Sequence, residues 1–193
     1  MNLDKAIEIL GDNFSFTAMD THSVIQTLDI PKDSRILDVG TGMGSLAITL
    51  AINGYTVTTG EPEDDETIYA KQDWLSNAQK VNVDHKITFQ PFNAIATPFE
   101  DGFFHAVFSL GTLHHIQTAD REAVLRELVR ITKPAATICF FEPTQKAVDM
   151  IRATDPSHPD AADPIDHIHD QSLSHEKIKG NNFDAFIIRK NLA

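Results

Sequence analysis

A short apolar run that leads into three alternating glycines constrains this chain more than any other feature in it. Ile36-Leu37-Asp38-Val39 passes directly into Gly40-Thr41-Gly42-Met43-Gly44, and Ser45 to Ile52 continue as a helix-compatible stretch. A short, mostly apolar run that begins at Arg35 and ends in glycines suits a parallel strand buried on both faces. Glycine reaches backbone angles that other residues avoid, so the turn can be tight and a ligand can approach its main chain. Strand, glycine turn and helix in that order put the turn at the carboxyl end of a parallel strand, where open α/β sheets bind ligands.

The rest of the chain repeats the alternation. Residues 3–10 and 16–28 predict two helices, with Ile7, Leu10, Val24, Ile25 and Leu28 at helical spacing. Tyr55 to Thr59 is β-branched and aromatic and predicts a second strand, followed by a helix over residues 66–80. Residues 87–90 and 105–109 predict two more strands. Residues 119–132 form the clearest amphipathic pattern, which Pro134 ends, and residues 137–141 predict a fifth strand. Beyond Glu142 the pattern yields a helix over 145–153, an irregular Pro-, Asp- and His-rich stretch over 154–170, and one last strand at 183–189. Strands alternating with helices imply a doubly wound α/β fold, with a mostly parallel sheet, helices on both faces and a shortened C-terminal strand region.

Composition narrows the partners. The formal net charge is −12, with no basic stripe, which argues against a nucleic-acid partner. No apolar run approaches the ~20 residues that span a bilayer, so no membrane partner is expected. The N-terminal residues lack the apolar core of a signal peptide. Cysteine occurs once, as Cys139 in an apolar run. A buried structural thiol in a reducing, cytoplasmic protein is the expectation.

Two nucleotide ligands compete for the glycine turn. A dinucleotide fingerprint reads G-x-G-x-x-G, but the sixth position from Gly40 is Ser45. Asp38 stands just before the turn, where a carboxylate opposes a pyrophosphate and suits the cationic amine of a methionine moiety. The pattern favours S-adenosyl-L-methionine over NAD.

Over residues 33–142 the chain resembles the class I S-adenosylmethionine-dependent methyltransferases, in the branch with an L-H-H motif after the fourth strand. The resemblance implies a Rossmann-like fold and a single methyltransferase domain over residues 1–193. That domain divides into N-terminal helices (1–30), a cofactor-binding core (33–142) and a C-terminal part (143–193). It also implies a cofactor site. The turn residues Asp38, Gly40, Thr41 and Gly42 would hold the methionine part, and Glu61, just past the second strand, would bond both ribose hydroxyls. Asn93 and Ala94 would read adenine, and Leu110 would lie beside the methionine moiety. On that basis, replacing Asp38 or Glu61 by alanine is expected to weaken cofactor binding strongly. Two positions depart from the family pattern: His105 stands where Asp is usual, and Ala135-Ala136 where Gly-Gly is usual.

The paired histidines of Leu113-His114-His115 follow the fourth strand, at the expected mouth of the site. Histidine titrates near neutrality, so His114 is the candidate catalytic residue, as a base or as a group that orients the acceptor. An Asp/His-rich stretch contains His158, Asp160, Asp163, Asp166, His167, His169, Asp170 and His175. Imidazoles and carboxylates so crowded raise zinc or nickel, but the spacing matches no established ligand motif, and no metal ligand is assigned. The expected activity is methyl transfer to a small-molecule acceptor. The alternatives are a cofactor-binding protein or partner subunit without turnover and, last, a nicotinamide oxidoreductase.

Overall fold

The computed structural model describes residues 1–190 and contains one seven-stranded sheet. In chain order the elements are α1 (Leu3–Leu10), α2 (Asp12–Thr27), β1 (Arg35–Val39), α3 (Ser45–Ile52), β2 (Thr56–Gly60), α4 (Trp74–Lys80), β3 (Ile87–Phe89) and β4 (Phe104–Leu110). They continue with α5 (Thr118–Ile131), β5 (Thr132–Pro143), α6 (Gln145–Arg152), β6 (Leu173–Ile178) and β7 (Phe183–Lys190). The strand order is β3-β2-β1-β4-β5-β7-β6. The first five strands run parallel, and β7 and β6 close the edge as an antiparallel hairpin.

Helices cover both faces of the sheet, and the strands alternate between two apolar layers. Ile36, Val57, Ala106, Phe108, Cys139 and Phe141 pack with α1, α2 and α3 on one face. Leu37, Val39, Val107, Ile138 and Phe140 pack with Val124, Leu125, Leu128 and Ile131 of α5 on the other. Double burial is why these strands read as continuous apolar runs. Cys139 is fully buried, and the loss of solvation pushes its thiol pKa upward, as an inert thiol requires.

Three expectations shift. The helix predicted over 66–80 forms only from Trp74, where the Asp73 side chain caps it by accepting from the Ser76 amide. Residues 62–73 instead cross the carboxyl end of the sheet without regular structure, and Ile68 stays exposed. Pro134 does not mark the end of α5. The helix stops at Ile131, and β5 begins at once, with a register shift against β4 that takes up the proline. Ala135 there has φ +58°, the left-handed angle that the more usual glycine takes easily. The C-terminal edge holds two strands rather than one. β6 is almost wholly exposed, so no apolar alternation announced it.

The hairpin is tied to the front of the chain. Asp20 on α2 accepts from the backbone amides of Asn181, Asn182 and Phe183 at 3.0, 2.7 and 2.9 Å. That bond set seats α2 against β7 and brings Asn13, Phe16 and Thr17 to the same end of the sheet as the glycine turn.

Candidate functional site

Strand order reverses at β1, between β2 on one side and β4 on the other, and the crevice beyond that switch point is where ligands bind in such sheets. A cavity of about 670 Å³ opens there. Its walls include Gly40, Thr41, Gly42, Glu61, Asn93, Ala94, Leu110 and His114. Eight of the nine site residues expected from the sequence therefore meet in one cavity.

The glycine turn is shaped by its neighbours. Gly40 has φ +91°, and a side chain there would collide with Thr112. The Thr112 hydroxyl donates to the Val39 carbonyl at 3.0 Å and closes the end of β1. Gly42 has φ +47°, and its amide donates to Glu61 Oε2 at 3.0 Å. Glu61 Oε1 accepts from the Lys71 amide at 2.6 Å. The carboxylate is nine-tenths buried yet lies on the cavity wall, held by amides from the turn and from the 62–73 segment. Each carboxylate oxygen has a second lone pair, so the group can still accept from a ligand's hydroxyls.

Asp38 is the ninth, and it departs from expectation. It is fully buried and absent from the cavity wall. The Thr59 hydroxyl donates to its Oδ2 at 2.8 Å, and the Thr41 hydroxyl lies 3.0 Å from that of Thr59. Oδ1 has no partner. Burial, with the Glu61 charge nearby, pushes the Asp38 carboxyl up to about 8 even against the Thr59 bond. Full burial and a raised carboxyl pKa weaken it as a counter-charge for a ligand's ammonium. Asp38 instead anchors the turn from beneath, through Thr59 and Thr41.

Asn93 lines the cavity, but its side-chain oxygen already accepts from the Ile95 amide at 2.9 Å, an Asx turn. Ala94 beside it also lines the cavity. Leu110 ends β4, and Gly111 beyond it donates its amide to the Phe141 carbonyl.

The opposite wall is built from histidines. His114 and His115 sit on a short 3₁₀ turn, Leu113–His115. His114 Nδ1 is 2.6 Å from Glu142 Oε2, with both side chains at most 2% exposed. Glu142 Oε1 accepts from the Leu113 amide at 3.1 Å. His158, from the loop after α6, turns inward to complete a group of three imidazoles. His114 and His115 have ring centres 4.2 Å apart, and each lies within 5.3 Å of His158. Burial, and then its two neighbouring imidazoles, push His115 down to about 4. The Tyr69 ring lies 4.7 Å from His115, and its hydroxyl donates to Asp155 Oδ2 at 2.5 Å.

Sequence reasoning missed Thr112, Glu142 and the inward turn of His158. Glu142 had a signal: it is the one acid at the end of the apolar run Ile138-Cys139-Phe140-Phe141, at the carboxyl end of a parallel strand. His158 had none, because its loop carries no periodicity.

A family model described as a methyltransferase domain matches residues 37–140. The 27-O-demethylrifamycin SV methyltransferase of Amycolatopsis mediterranei is 30% identical over 113 residues, covering 58% of this chain and 40% of that protein. Ajmaline N-methyltransferase of Rauvolfia serpentina is 32% identical over 110 residues, covering 57% and 36%. The aligned part thus spans less than half the length of these curated relatives. Among solved structures, the YcgJ protein of Bacillus subtilis superimposes with a TM-score of 0.68 at 16% identity, covering 90% of this chain and 99% of that one.

Proposed function

Because the chain belongs to the methyltransferase-domain family, we propose that it is an S-adenosylmethionine-dependent methyltransferase acting on a small-molecule acceptor. One observation carries the reading: the glycine-turn amide of Gly42 bonds the Glu61 carboxylate on the wall of a cavity large enough for cofactor and acceptor together. Relatives named for rifamycin and ajmaline substrates support a small acceptor. No described helix is long and apolar enough to cross a membrane. With that, the lone buried cysteine supports our placing the protein in the cytoplasm, with residues 1–193 as one domain.

The residues present fit the cofactor. Gly40 and Gly42 leave the turn's backbone bare, and the Glu61 carboxylate keeps acceptor capacity on the wall. We assign Gly40, Thr41, Gly42 and Leu110 to the methionine part, Glu61 to the ribose hydroxyls, and Asn93 with Ala94 to adenine. When bound, S-adenosylmethionine supplies a methyl group already activated on a sulfonium sulfur. The chain's own task is then to align an acceptor nucleophile with that methyl and to exclude water.

His114 faces the acceptor. Its Nδ1 is fixed on Glu142, which leaves Nε2 as the ring nitrogen free to take a proton from the acceptor. Glu142 orients the ring and stabilises the imidazolium that would form.

Calorimetric titration tests the assignment, using S-adenosylmethionine, S-adenosylhomocysteine and NAD on the wild type and on Glu61→Ala. Saturable binding of the adenosyl compounds, lost in the variant and absent for NAD, supports the reading. A folded protein that binds neither adenosyl compound rules it out for the chain alone. An acceptor panel with product detection then separates turnover from binding without turnover.

A further inference from the structure

Three imidazoles without a common hydrogen-bonding partner line the acceptor end of the cavity. One ring nitrogen from each of His114, His115 and His158 lies within 4.8 Å of the other two. His114 Nε2 is buried and has no partner among the described residues. A buried polar atom left unpaired is costly, so something normally satisfies it.

The outer contacts of the group are directional. Glu142 holds His114 at Nδ1, and the Pro159 carbonyl lies 3.0 Å from His158 Nδ1. A carboxylate and a carbonyl both accept, so both rings carry their proton on Nδ1 and present the Nε2 lone pair. Metal-bound histidines are fixed in this way, by a carboxylate or carbonyl on the second nitrogen. The loop that brings His158 inward is itself pinned: Arg152 donates from Nε to the His158 carbonyl at 2.8 Å and pairs with Asp160 at 3.0 Å. The Tyr69 ring lies 4.7 Å from that of His115 and edge-on to that of His158 at 5.7 Å.

We propose that His114, His115 and His158 form a three-histidine site for a divalent cation of the zinc class, with an open coordination position facing the cavity. Around a tetrahedral zinc the ligating nitrogens lie about 3.3 Å apart, so each ring nitrogen has to move by less than about 1 Å. Neutral imidazoles with no carboxylate among the ligands select zinc, cobalt or nickel over magnesium or calcium. Three protein ligands and one open position are the arrangement of catalytic rather than structural zinc. The other histidines of the polar stretch do not join the group. His169 is exposed and lies 3.9 Å from Glu122, and His175 points outward on β6. The proposal rests on the cavity reading above and deepens it: in the loaded site His114 Nε2 is a ligand rather than a base, and the open position receives an oxygen, nitrogen or sulfur atom of the acceptor.

The test uses the full chain, stripped with a chelator and titrated with cobalt(II) as a visible-absorbing probe, with zinc(II) as competitor. The expected result is one equivalent of cobalt with the strong absorption of a four-coordinate site, displaced by zinc. His158→Gln and His115→Gln each weaken binding beyond the ~10–100-fold typical of losing an outer partner, and Glu142→Gln weakens it by about that outer-partner range. A His167→Gln/His169→Gln variant binds as the wild type does. The proposal is overturned by a folded chain that takes up no stoichiometric cobalt, or by uptake that survives His158→Gln and disappears with His167 and His169. S-adenosylmethionine binding is titrated on the same samples. Its loss with cobalt uptake intact defeats the methyltransferase reading alone, and the reverse pattern defeats the metal site alone.

Discussion

The glycine wall of the cavity and the histidine wall opposite it are assembled from different materials. The first is mainly backbone, drawn from the ends of the adjacent strands β1 and β2, with the partners Gly42 and Glu61 19 positions apart. The second is side chains, drawn from the turn after β4, the end of β5 and the loop beyond α6. A backbone wall holds the part of a ligand that is constant across a family. A side-chain wall can change with each acceptor while the fold stays the same. Similarity to relatives named for substrates as different as a rifamycin and ajmaline fits that division.

The largest effect expected of a single change is on the glycine wall. Glu61→Ala would remove the two charge-assisted bonds we assign to ribose, about 3 kcal/mol in all, and should weaken S-adenosylmethionine binding by roughly 100-fold in calorimetry. Glu142→Gln in the histidine wall should leave that affinity unchanged. Equal losses in both variants would mean that the two walls are not separate devices.

Next in size is the catalytic effect of Glu142→Gln. Glutamine can still accept from the Leu113 amide but carries no charge to fix and polarise His114. Turnover with an acceptor found by the panel should fall by about 10–100-fold with the cofactor affinity intact. A rate equal to the wild type would remove His114 and Glu142 from the acceptor chemistry.

Tyr69→Phe probes the strap that joins the walls. Residues 62–73 bond Glu61 through the Lys71 amide and reach Asp155 through the Tyr69 hydroxyl. An exposed hydrogen bond contributes about 1 kcal/mol or less, so both cofactor and acceptor affinities should shift by at most about fivefold. An effect confined to one ligand would assign the strap to one wall.

The same division explains what the sequence made legible. Gly40 and Gly42 sit at the end of a strand that an apolar run announces, and the family resemblance pointed to Glu61 just past the second strand. Both faces of the sheet are covered, and the five parallel strands and α5 were readable for that reason. The expected helix from residue 66 forms only from Trp74, where Ala78 is buried, whereas Ile68 in the strap stays exposed and gives a helix nothing to pack. β6 escaped because its side chains face solvent on both sides of the edge. The histidine wall was half visible: the His114-His115 pair stands out, but His158 comes from a loop whose path depends on tertiary bonds to Arg152. Local pattern carries no record of such bonds.

Asp38 sharpens the comparison from beneath the glycine wall, because two carboxyls close in the fold take opposite parts. Glu61 meets the cavity, and Asp38, its pKa raised by burial, supports the turn. An aspartate in the unfolded chain titrates near 3.9, and in the folded chain near 8. Between those values the folded state keeps a proton that the unfolded state has lost. Its contribution to stability is therefore full below about pH 4 and disappears as pH rises toward 8. Asp38→Asn has no proton to lose. Denaturant unfolding at pH 5 and pH 8 should show the wild type losing more stability over that interval than the variant, while S-adenosylmethionine affinity changes by only a few fold. Parallel stability profiles, with a large loss of cofactor affinity, would mean that Asp38 is ionised in the folded protein, and would return it to the role of counter-charge for the cofactor's amine.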